Sequence, residues 1–220
     1  MTAVLRDAPD GMALDCSYPI NAARAIEMAA TPLLGQKVNG VCQYVGLEHN
    51  SSSDISVENL QGILKAGLGL WLVQHCLYPG WEASAALGRH LGLAARQNAA
   101  SVGYLSGCHL ALDLEGCKSV GQDVIDYVTS WVNEVRDDYQ PLLYVGYSCG
   151  LTAQQLYEAF SGIHRYWSDF GPRQVSTRGF AVKQHAQVLH CGVPVDPDET
   201  QEDLLGGKLQ WMIDDGQVAA

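Results

Sequence analysis

The chain has 220 residues, of which 47% are hydrophobic and 17% are charged, and this composition suits one domain with a full apolar core. Its 24 acidic and 13 basic residues give a net charge of −11, which argues against binding to nucleic acid or to an anionic membrane surface, since both need clustered lysine and arginine. No apolar run approaches the ~18 residues of a membrane span, and the N-terminal segment lacks the basic start and apolar core of a signal peptide.

These absences predict a soluble chain that is made in the cytoplasm. If its substrate lies outside the cell, export must follow a non-classical route such as phage lysis or a dedicated secretion system. The seven cysteines stand singly with no paired spacing, which predicts reduced thiols and neither a disulfide framework nor a structural metal site. We expect no cofactor, and the sequence leaves the oligomeric state undetermined.

Short apolar strands alternate with helical segments along the chain. Strands are predicted at 11–15, 40–46, 68–75, 109–115 and 141–147, each followed by a helix, at 21–31, 56–66, 82–101, 121–137 and 152–160. Three later strands, at 165–171, 179–186 and 192–196, have little helix between them. The acidic run 196–203 and the C-terminal segment 210–220 are predicted to be helical.

An open doubly wound sheet and a closed barrel both fit this alternation, and the count of eight strands favours the barrel. The fold class predicted is therefore a compact (β/α)8 barrel of parallel strands with short or missing late helices. It forms a single domain over 1–220 with its core at about 11–198.

Asp113 and Glu115 are two residues apart within the apolar strand 109–115. In an extended strand both carboxylates leave the same face, roughly 6–7 Å apart, while Leu112 and Leu114 point into apolar packing. Like charges held this close raise one pKa and leave the other carboxyl ionised, which is the division of roles that glycoside hydrolysis needs. A strand end with solvated or salt-bridged acids is the alternative.

The C-terminal ends of barrel strands form the active site in this fold class. Carboxylates, amides and aromatic rings stand at the predicted strand ends, and together they suit a sugar, whose apolar face stacks on rings while its hydroxyls bind polar groups. The candidate residues are Asp15, Tyr44, Gln74, His75, Asp113, Glu115, Tyr144, Tyr147, Trp167, Asp169, Gln184, His185 and Asp196.

Several strand motifs also carry a family resemblance. They read GMALDCSYP, VCQYVGL, GLGLWLVQH, ALDLEG, PLLYVGYS, YWSDFG, VKQH and GVPVD, and they span about residues 11–198. On these motifs the chain resembles the glycoside-hydrolase-like barrel domains related to the Chalaropsis-type lysozymes, and within that group a branch of bacterial domains of undetermined function.

The resemblance implies retaining or substrate-assisted hydrolysis of a β-1,4 glycan such as peptidoglycan. By that resemblance Glu115 matches the proton donor, and Asp113 matches the carboxylate that supports the transition state or orients an N-acetyl group. Two further acids, Asp15 from the first strand and Asp196 from the last, would complete the cleft. Three aromatic residues would line the subsites, namely Tyr44, Tyr144 and Trp167.

Three other functions remain open on the sequence. The barrel could be a catalytically inactive glycan-binding module in which the same carboxylates bind sugar hydroxyls. A metal-dependent hydrolase could use His75, Asp113, Glu115 and His185, although no HxH or HExxH motif occurs. A cysteine nucleophile is disfavoured because the His75–Cys76 neighbours would face opposite ways on a strand.

Overall fold

The computed structural model of the protein describes residues 2–171 and 175–217. The strands are β1 (Ala3–Asp7), β2 (Gly11–Asp15), β3 (Val38–Val45), β4 (Gly69–Gln74), β5 (His109–Asp113), β6 (Gln140–Val145), β7 (Tyr166–Ser168), β8 (Val182–Gln184), β9 (Val188–His190), β10 (Val193–Thr200) and β11 (Gln210–Asp214). The helices are α1 (Ala22–Ala30), α2 (Val57–Lys65), α3 (Ala85–Ser101), α4 (Gln122–Val135) and α5 (Ala153–Glu158), with a 3-10 turn at Asp215–Gln217.

Eight strands close into a barrel. β2 to β8 pair in chain order as parallel neighbours, and β10 pairs with both β8 and β2, which closes the ring. The five helices follow β2 to β6, and no α-helix follows β7 or β8 within the described residues. The predicted barrel with missing late helices is confirmed, and each of its eight strands overlaps one of the eight predicted segments.

The end of the chain differs from the prediction. The acidic run 196–203 does not begin a helix, because β10 continues to Thr200 and pairs antiparallel with β2, so that Asp196 faces Asp15 and Thr200 faces Gly11. The last strand of the barrel is thus antiparallel rather than parallel. The segment 210–220 is not a closing helix either: β11 pairs antiparallel with β1, and residues 218–220 lie outside the described part.

The barrel separates two apolar cores, because successive side chains of each strand face opposite sides. On β4, the even-numbered Leu70 and Leu72 pack outward against the helices, and Trp71 and Val73 pack inside the barrel. The helices complete the outer core with one face. On α4 this face includes the buried Val124, Tyr127, Val128, Trp131 and Val135.

The start of α2 illustrates how local sequence sets the helix ends. Ser56 Oγ accepts a hydrogen bond from the Asn59 backbone at 3.2 Å, and Asn59 Oδ1 accepts one from the Ser56 backbone at 3.0 Å. This is a complete capping box, in which two unpaired backbone N–H groups are satisfied reciprocally.

Within the described residues, no helix combines the length and the apolar character that crossing a membrane requires.

Trp211 of β11 closes the end of the barrel opposite to the strand C-termini. Its ring stacks on Trp71 with the ring centroids 6.3 Å apart, and it lies against the backbone of Gly40 and Gly69. A Cβ atom at Gly40 would stand 2.2 Å from the Trp211 ring, and one at Gly69 would stand 2.4 Å away. Only glycine therefore lets the indole seal the barrel.

Gly40→Ala should lower the free energy of unfolding by about 1–3 kcal/mol, because the new methyl group overlaps the Trp211 ring. Denaturant titration of the variant measures this loss. Gly216→Ala is the matched control, since a Cβ there would meet nothing closer than 3.7 Å. A double variant, Gly40→Ala with Trp211→Phe, should lose less than the sum of the two single variants, and strict additivity would contradict the contact.

Candidate active site

Asp113 and Glu115 lie together where β5 ends. β5 stops at Asp113, so the pair is held by a turn and not by a strand, as Asp113 Oδ1 accepts a hydrogen bond from the Glu115 backbone at 2.9 Å. Carboxylate oxygens of the two residues come within 4.8 Å of each other, closer than the strand spacing predicts. Leu112 and Leu114 pack in the outer core, as expected. The predicted convergence of the two carboxyls is thus found in the structure.

The backbone around Glu115 is fixed from three sides. Trp81 Nε1 donates a hydrogen bond to the Glu115 carbonyl at 2.8 Å, and the Gly116 N–H donates to the carbonyl of Tyr147 at 3.0 Å. The Glu115 side chain lies against Gly146, where a Cβ atom would stand 2.1 Å from Glu115 Cγ. The carboxyl therefore approaches β6 through a space that only glycine provides.

A third carboxyl, that of Asp15, stands at the end of β2 and is hydrogen-bonded to an amide and a tyrosine hydroxyl. Gln184 Nε2 donates to Asp15 Oδ2 at 2.7 Å, and Tyr44 Oη donates to Asp15 Oδ1 at 3.3 Å. The other end of the Gln184 amide meets Tyr144, whose Oη lies 2.8 Å from Gln184 Oε1 and 3.3 Å from Glu115 Oε1. Asp15 and Glu115 are thus connected through two side chains.

Two acids of β10 complete the group. Asp196 is half-buried opposite Asp15, and Asp198 is fully buried one pleat deeper, where Trp167 Nε1 donates to its Oδ1 at 2.8 Å. A cavity of about 220 Å³ opens above these acids, and it is lined by Tyr44, Val73, Asp113, Glu115, Tyr144, Trp167, Phe170, Gln184, Gln187 and Asp196.

Burial dominates the electrostatics of the site. It raises the pKa of Asp15 to about 7, and the charges of Asp196 and Glu115 add to this rise. Burial also raises the pKa of Glu115, helped by the charges of Asp169 and Asp196. The pKa of Asp113 rises well above its usual value because that carboxyl is buried next to Glu115. A like-charged pair at this distance favours holding one proton between its two carboxyls.

The third group at the pair is Cys76. Its Sγ and one oxygen each of Asp113 and Glu115 lie within 4.8 Å of one another, so these three residues could together offer donor atoms to a metal ion. Burial, together with the nearby charge of Asp113, raises the pKa of Cys76 to about 12, which disfavours the thiolate and hence a nucleophilic role. All seven cysteines are free, as the sequence predicts.

Two predicted site residues do not face the cavity. Gln74 is the last residue of β4 and, like Leu70 and Leu72, points outward from the barrel. Its amide oxygen accepts a hydrogen bond from Trp131 Nε1 at 2.8 Å, and its NH2 group donates to the Leu91 carbonyl at 2.9 Å. His185 follows the end of β8, its Nε2 lies 3.6 Å from Oε2 of Glu199, and it is not among the residues that line the cavity. The prediction that these side chains line the mouth is wrong.

His75 stands beside the cavity. Its Nε2 lies 2.8 Å from Oδ1 of the buried Asp54, and its ring faces the Tyr44 ring at a centroid distance of 4.7 Å. It lines a neighbouring cavity of about 440 Å³ between the loop 46–54 and the segment 75–79. The metal site that the sequence suggests around His75, Asp113, Glu115 and His185 therefore does not form, because His75 bonds to Asp54 and His185 lies near Glu199.

The remaining predicted residues differ in exposure. Trp167 is only 1% exposed and packs on Tyr144 at a centroid distance of 4.5 Å, so it forms the floor of the cavity rather than a free stacking surface. Tyr147 is exposed at the rim next to Gly116. Asp169 lies beyond β7, accepts a hydrogen bond from the Gly171 backbone at 2.9 Å, and acts on Glu115 through its charge.

Sequence reasoning missed four residues of the site. Asp198 is two residues after Asp196 and lies on the same face of β10. The predicted strand ended at residue 196, so this D-x-D spacing was not recognised as part of a strand. Phe170 and Gln187 follow strand ends and line the cavity. Cys76 lies beyond the end of β4, where side chains no longer alternate between the two faces of a strand. Its thiol can therefore lie beside Asp113 and Glu115.

Comparisons with known proteins agree on the fold. The sequence profile of a family described as "Rv2525c-like, glycoside hydrolase-like domain" matches residues 33–198. A search of curated proteins found no significant match.

Three solved structures share the barrel at low sequence identity. An uncharacterized B. stearothermophilus protein is 16% identical over 89% of this chain and 98% of its own, with a TM-score of 0.68. The Tat-secreted protein Rv2525c of Mycobacterium tuberculosis is 12% identical over 88% and 96%, with a TM-score of 0.66. A muramidase from Trichobolus zukalii is 16% identical over 86% and 93%, with a TM-score of 0.54.

Asp15→Asn should stabilise the fold in a pH-dependent way. Because the folded pKa of Asp15, about 7, lies above the ordinary aspartate value of 3.8, the wild type loses stability as the pH rises between these values. The gain in unfolding free energy of the variant should therefore grow from pH 4 to pH 7, reach a few kcal/mol, and level off above pH 7. Denaturant titrations over this pH range measure the difference.

Asp126→Asn serves as the control in this series, since it removes a carboxyl from the exposed face of α4. A gain for Asp15→Asn that stays constant from pH 4 to pH 8 would contradict the buried, proton-binding character of Asp15.

Proposed function

Since this chain belongs to the Rv2525c-like, glycoside hydrolase-like domain family, we propose that it is a glycosidase that hydrolyses glycan of the bacterial cell wall. The observation that carries the proposal is the Asp113–Glu115 pair, with carboxylate oxygens within 4.8 Å at the C-terminal mouth of the barrel. The likeness of the fold to that of a muramidase supports cell-wall glycan as the substrate class. The barrel by itself would support many reactions, so the site carries the argument.

In this proposal Glu115 is the general acid. Its carboxyl is half-buried and lines the cavity, and burial raises its pKa, which favours the protonated form that a general acid needs. The proton passes to the glycosidic oxygen as the bond to the anomeric carbon breaks. The hydrogen bond from Trp81 to the Glu115 carbonyl and the packing of the Glu115 side chain on Gly146 hold Glu115 in place for this transfer.

Asp113 is the second carboxyl of the reaction. Proton transfer from Glu115 leaves the pair with an additional negative charge at the moment when the sugar develops the positive charge of an oxocarbenium-like transition state. Asp113 lies within reach of that charge, as a nucleophile or as the group that orients an N-acetyl substituent. Its burial makes the interaction stronger than it would be in water.

The remaining cavity residues bind the glycan in this proposal. Tyr44, Tyr144 and Gln184 present hydroxyl and amide groups near the acids, and Asp196 lies across from Asp15. Tyr147 and Phe170 are exposed at the rim and offer ring faces to sugar units outside the cavity. A wall substrate also requires delivery across the membrane, and the fold neighbour Rv2525c is a Tat-secreted protein.

Glu115→Gln should reduce the release of reducing ends from purified peptidoglycan by at least about 100-fold, because the amide cannot donate the catalytic proton. Reducing-end assays with mass analysis of the products measure this loss and identify the bond that is cut. Glu27→Gln, on the exposed face of α1, is the matched control and should keep wild-type activity.

Full activity of folded Glu115→Gln would contradict the assignment of the acid. Saturable binding of peptidoglycan fragments without cleavage, by wild type and variant alike, would instead establish the inactive glycan-binding module.

The products should retain the anomeric configuration of the substrate. Inversion needs two carboxyls about 6.5–9.5 Å apart with a water between them, whereas retention uses about 5–5.5 Å, which is close to the Asp113–Glu115 separation. Proton NMR of the first-formed sugar ends, recorded before mutarotation, measures the configuration. An inverted product would exclude this pair and point to a more distant base such as Asp15 or Asp196.

A further inference from the structure

A second cavity lies beside the cavity at the acids, which we call the catalytic cavity. This side cavity lies between the loop 46–54, which follows β3, and the segment 75–79, which follows β4. The catalytic cavity, with about 220 Å³, is smaller than the roughly 300–1,000 Å³ of most ligand pockets, whereas the side cavity, with about 440 Å³, falls within that range. A substrate bound at the acids must therefore extend beyond them, and the side cavity is adjoining space.

The two cavities share a wall. Cys76 lines the side cavity, and its Sγ lies within 4.8 Å of a carboxylate oxygen of Asp113 and of Glu115. His75 lines the side cavity as well, and its ring faces the ring of Tyr44, which lines the catalytic cavity, at a centroid distance of 4.7 Å. A substituent of two or three residues on a sugar at the acids, at roughly 3.3–3.6 Å per extended residue, is long enough to cross this wall.

The side cavity is held open by hydrogen bonds within the protein. Asn98 Nδ2 on α3 donates to the Gly46 carbonyl at 2.9 Å, which fixes the start of the loop 46–54. A Cβ atom at Gly46 would stand 2.2 Å from a carbonyl oxygen of the same loop, so this turn requires glycine. At the end of the loop, the buried Asp54 bonds to Nε2 of His75 at 2.8 Å. A wall held in this way needs little ordering when a ligand binds.

The hydrogen bonds of Asp54 determine what His75 offers to a ligand. Asp54 is only 4% exposed, and its Oδ2 accepts from the N–H and from the hydroxyl of Ser51, at 2.6 and 2.8 Å. Because a carboxylate only accepts hydrogen bonds, the contact of its Oδ1 with His75 places a hydrogen on Nε2 of that ring. Within the described residues Nδ1 of His75 forms no hydrogen bond. It can accept from an amide N–H when the ring is neutral and donate to a carbonyl when the ring is charged, and a peptide has both groups.

The apolar walls of the two cavities differ in kind. Four aromatic rings line the catalytic cavity, whereas the apolar wall of the side cavity is formed by the aliphatic Leu47, Leu77 and Pro79. Its aromatic residue, Tyr78, is 93% exposed. Sugar faces stack on aromatic rings, while methyl and methylene groups pack on aliphatic side chains. No lysine or arginine is among the described residues that line the side cavity, which disfavours a phosphate group.

We propose that the side cavity binds a short peptide carried by the sugar at Asp113 and Glu115, so that the protein selects peptide-substituted glycan over bare glycan. The site rests on the proposed function, because that function places the sugar at the acids. His75 bonds to an amide group of the peptide, and Leu47 and Leu77 pack on its small aliphatic side chains. His75 is in this arrangement a specificity-determining residue beside the catalytic pair.

Calorimetric titration with defined ligands tests the preference. The protein carries Glu115→Gln to prevent cleavage, and the ligands are a disaccharide of the cell-wall glycan and the same disaccharide with an alanine-containing dipeptide. The peptide-bearing disaccharide should bind at least about 10-fold more tightly, since a hydrogen bond and a buried methyl group are added. Equal affinities, or no saturable binding of either ligand, would overturn the proposal.

Ser53→Trp in the same background fills the side cavity from an exposed position of the loop. It should abolish the preference for the peptide and leave the binding of the bare disaccharide and of a peptide-free tetrasaccharide unchanged. Ser52→Trp is the matched control, because Ser52 is exposed on the same turn and is not among the residues that line the side cavity. A preference that survives Ser53→Trp, or a loss of tetrasaccharide binding in its place, would show that the peptide does not occupy this cavity.

Cleavage separates this site from the proposed function. If the wild type cleaves peptidoglycan, removal of the peptides from the strands with an amidase should lower kcat/KM by about 10-fold, and Ser53→Trp should remove this difference. If the wild type cleaves neither form, the proposed hydrolysis fails, while the binding preference still decides the role of the side cavity. Equal cleavage of both forms would overturn the side cavity as a determinant of specificity and leave the proposed function intact.

Discussion

The apolar packing inside the barrel is the constraint on which the site depends. Trp71, Trp167 and Trp211 fill the space below the mouth, with Trp71 edge-on to Trp167 and stacked on Trp211. Carboxyls that stand directly on this floor lose most of their hydration, and burial is accordingly the first cause of the raised pKa at Asp15, Asp113 and Glu115. The floor in turn requires glycine where Trp211 meets β3 and β4.

Closure by an antiparallel strand gives the site its second set of acids. β10 runs against both β2 and β8, so its C-terminal half descends into the barrel and its N-terminal half lies near the mouth. Asp196 then faces Asp15, and Asp198 bonds to Trp167 one pleat below. A parallel strand at this position would have presented only its last residues to the mouth. The polarity of one strand therefore decides how many carboxyls share the cavity.

Proton placement within this group follows from hydrogen-bond capacity as well as from burial. A tyrosine hydroxyl has one hydrogen, so Tyr144 can donate fully to only one of its two partners, Gln184 Oε1 at 2.8 Å or Glu115 Oε1 at 3.3 Å. Burial raises the cost of an ionised carboxyl at Asp15 and at Glu115. The hydrogen-bonded group of Asp15, Gln184, Tyr144 and Glu115 is built by four side chains from four strands or strand ends, and no local segment contains it.

The sequence by itself determined the barrel and the central pair. Strand and helix periodicity located all eight barrel strands and five helices, because buried strands and amphipathic helices are local patterns. The D-x-E spacing placed the carboxyls of Asp113 and Glu115 on the side opposite to Leu112 and Leu114, which face the outer core. Only the tertiary structure decided the rest. The directions of Gln74 and His185, the antiparallel course of β10 and the bond of His75 to Asp54 depend on which neighbour each strand end meets, and those neighbours are distant in sequence. The pairing partner of a strand, and the last residue before its alternation stops, are set by contacts across the barrel that a linear pattern does not contain.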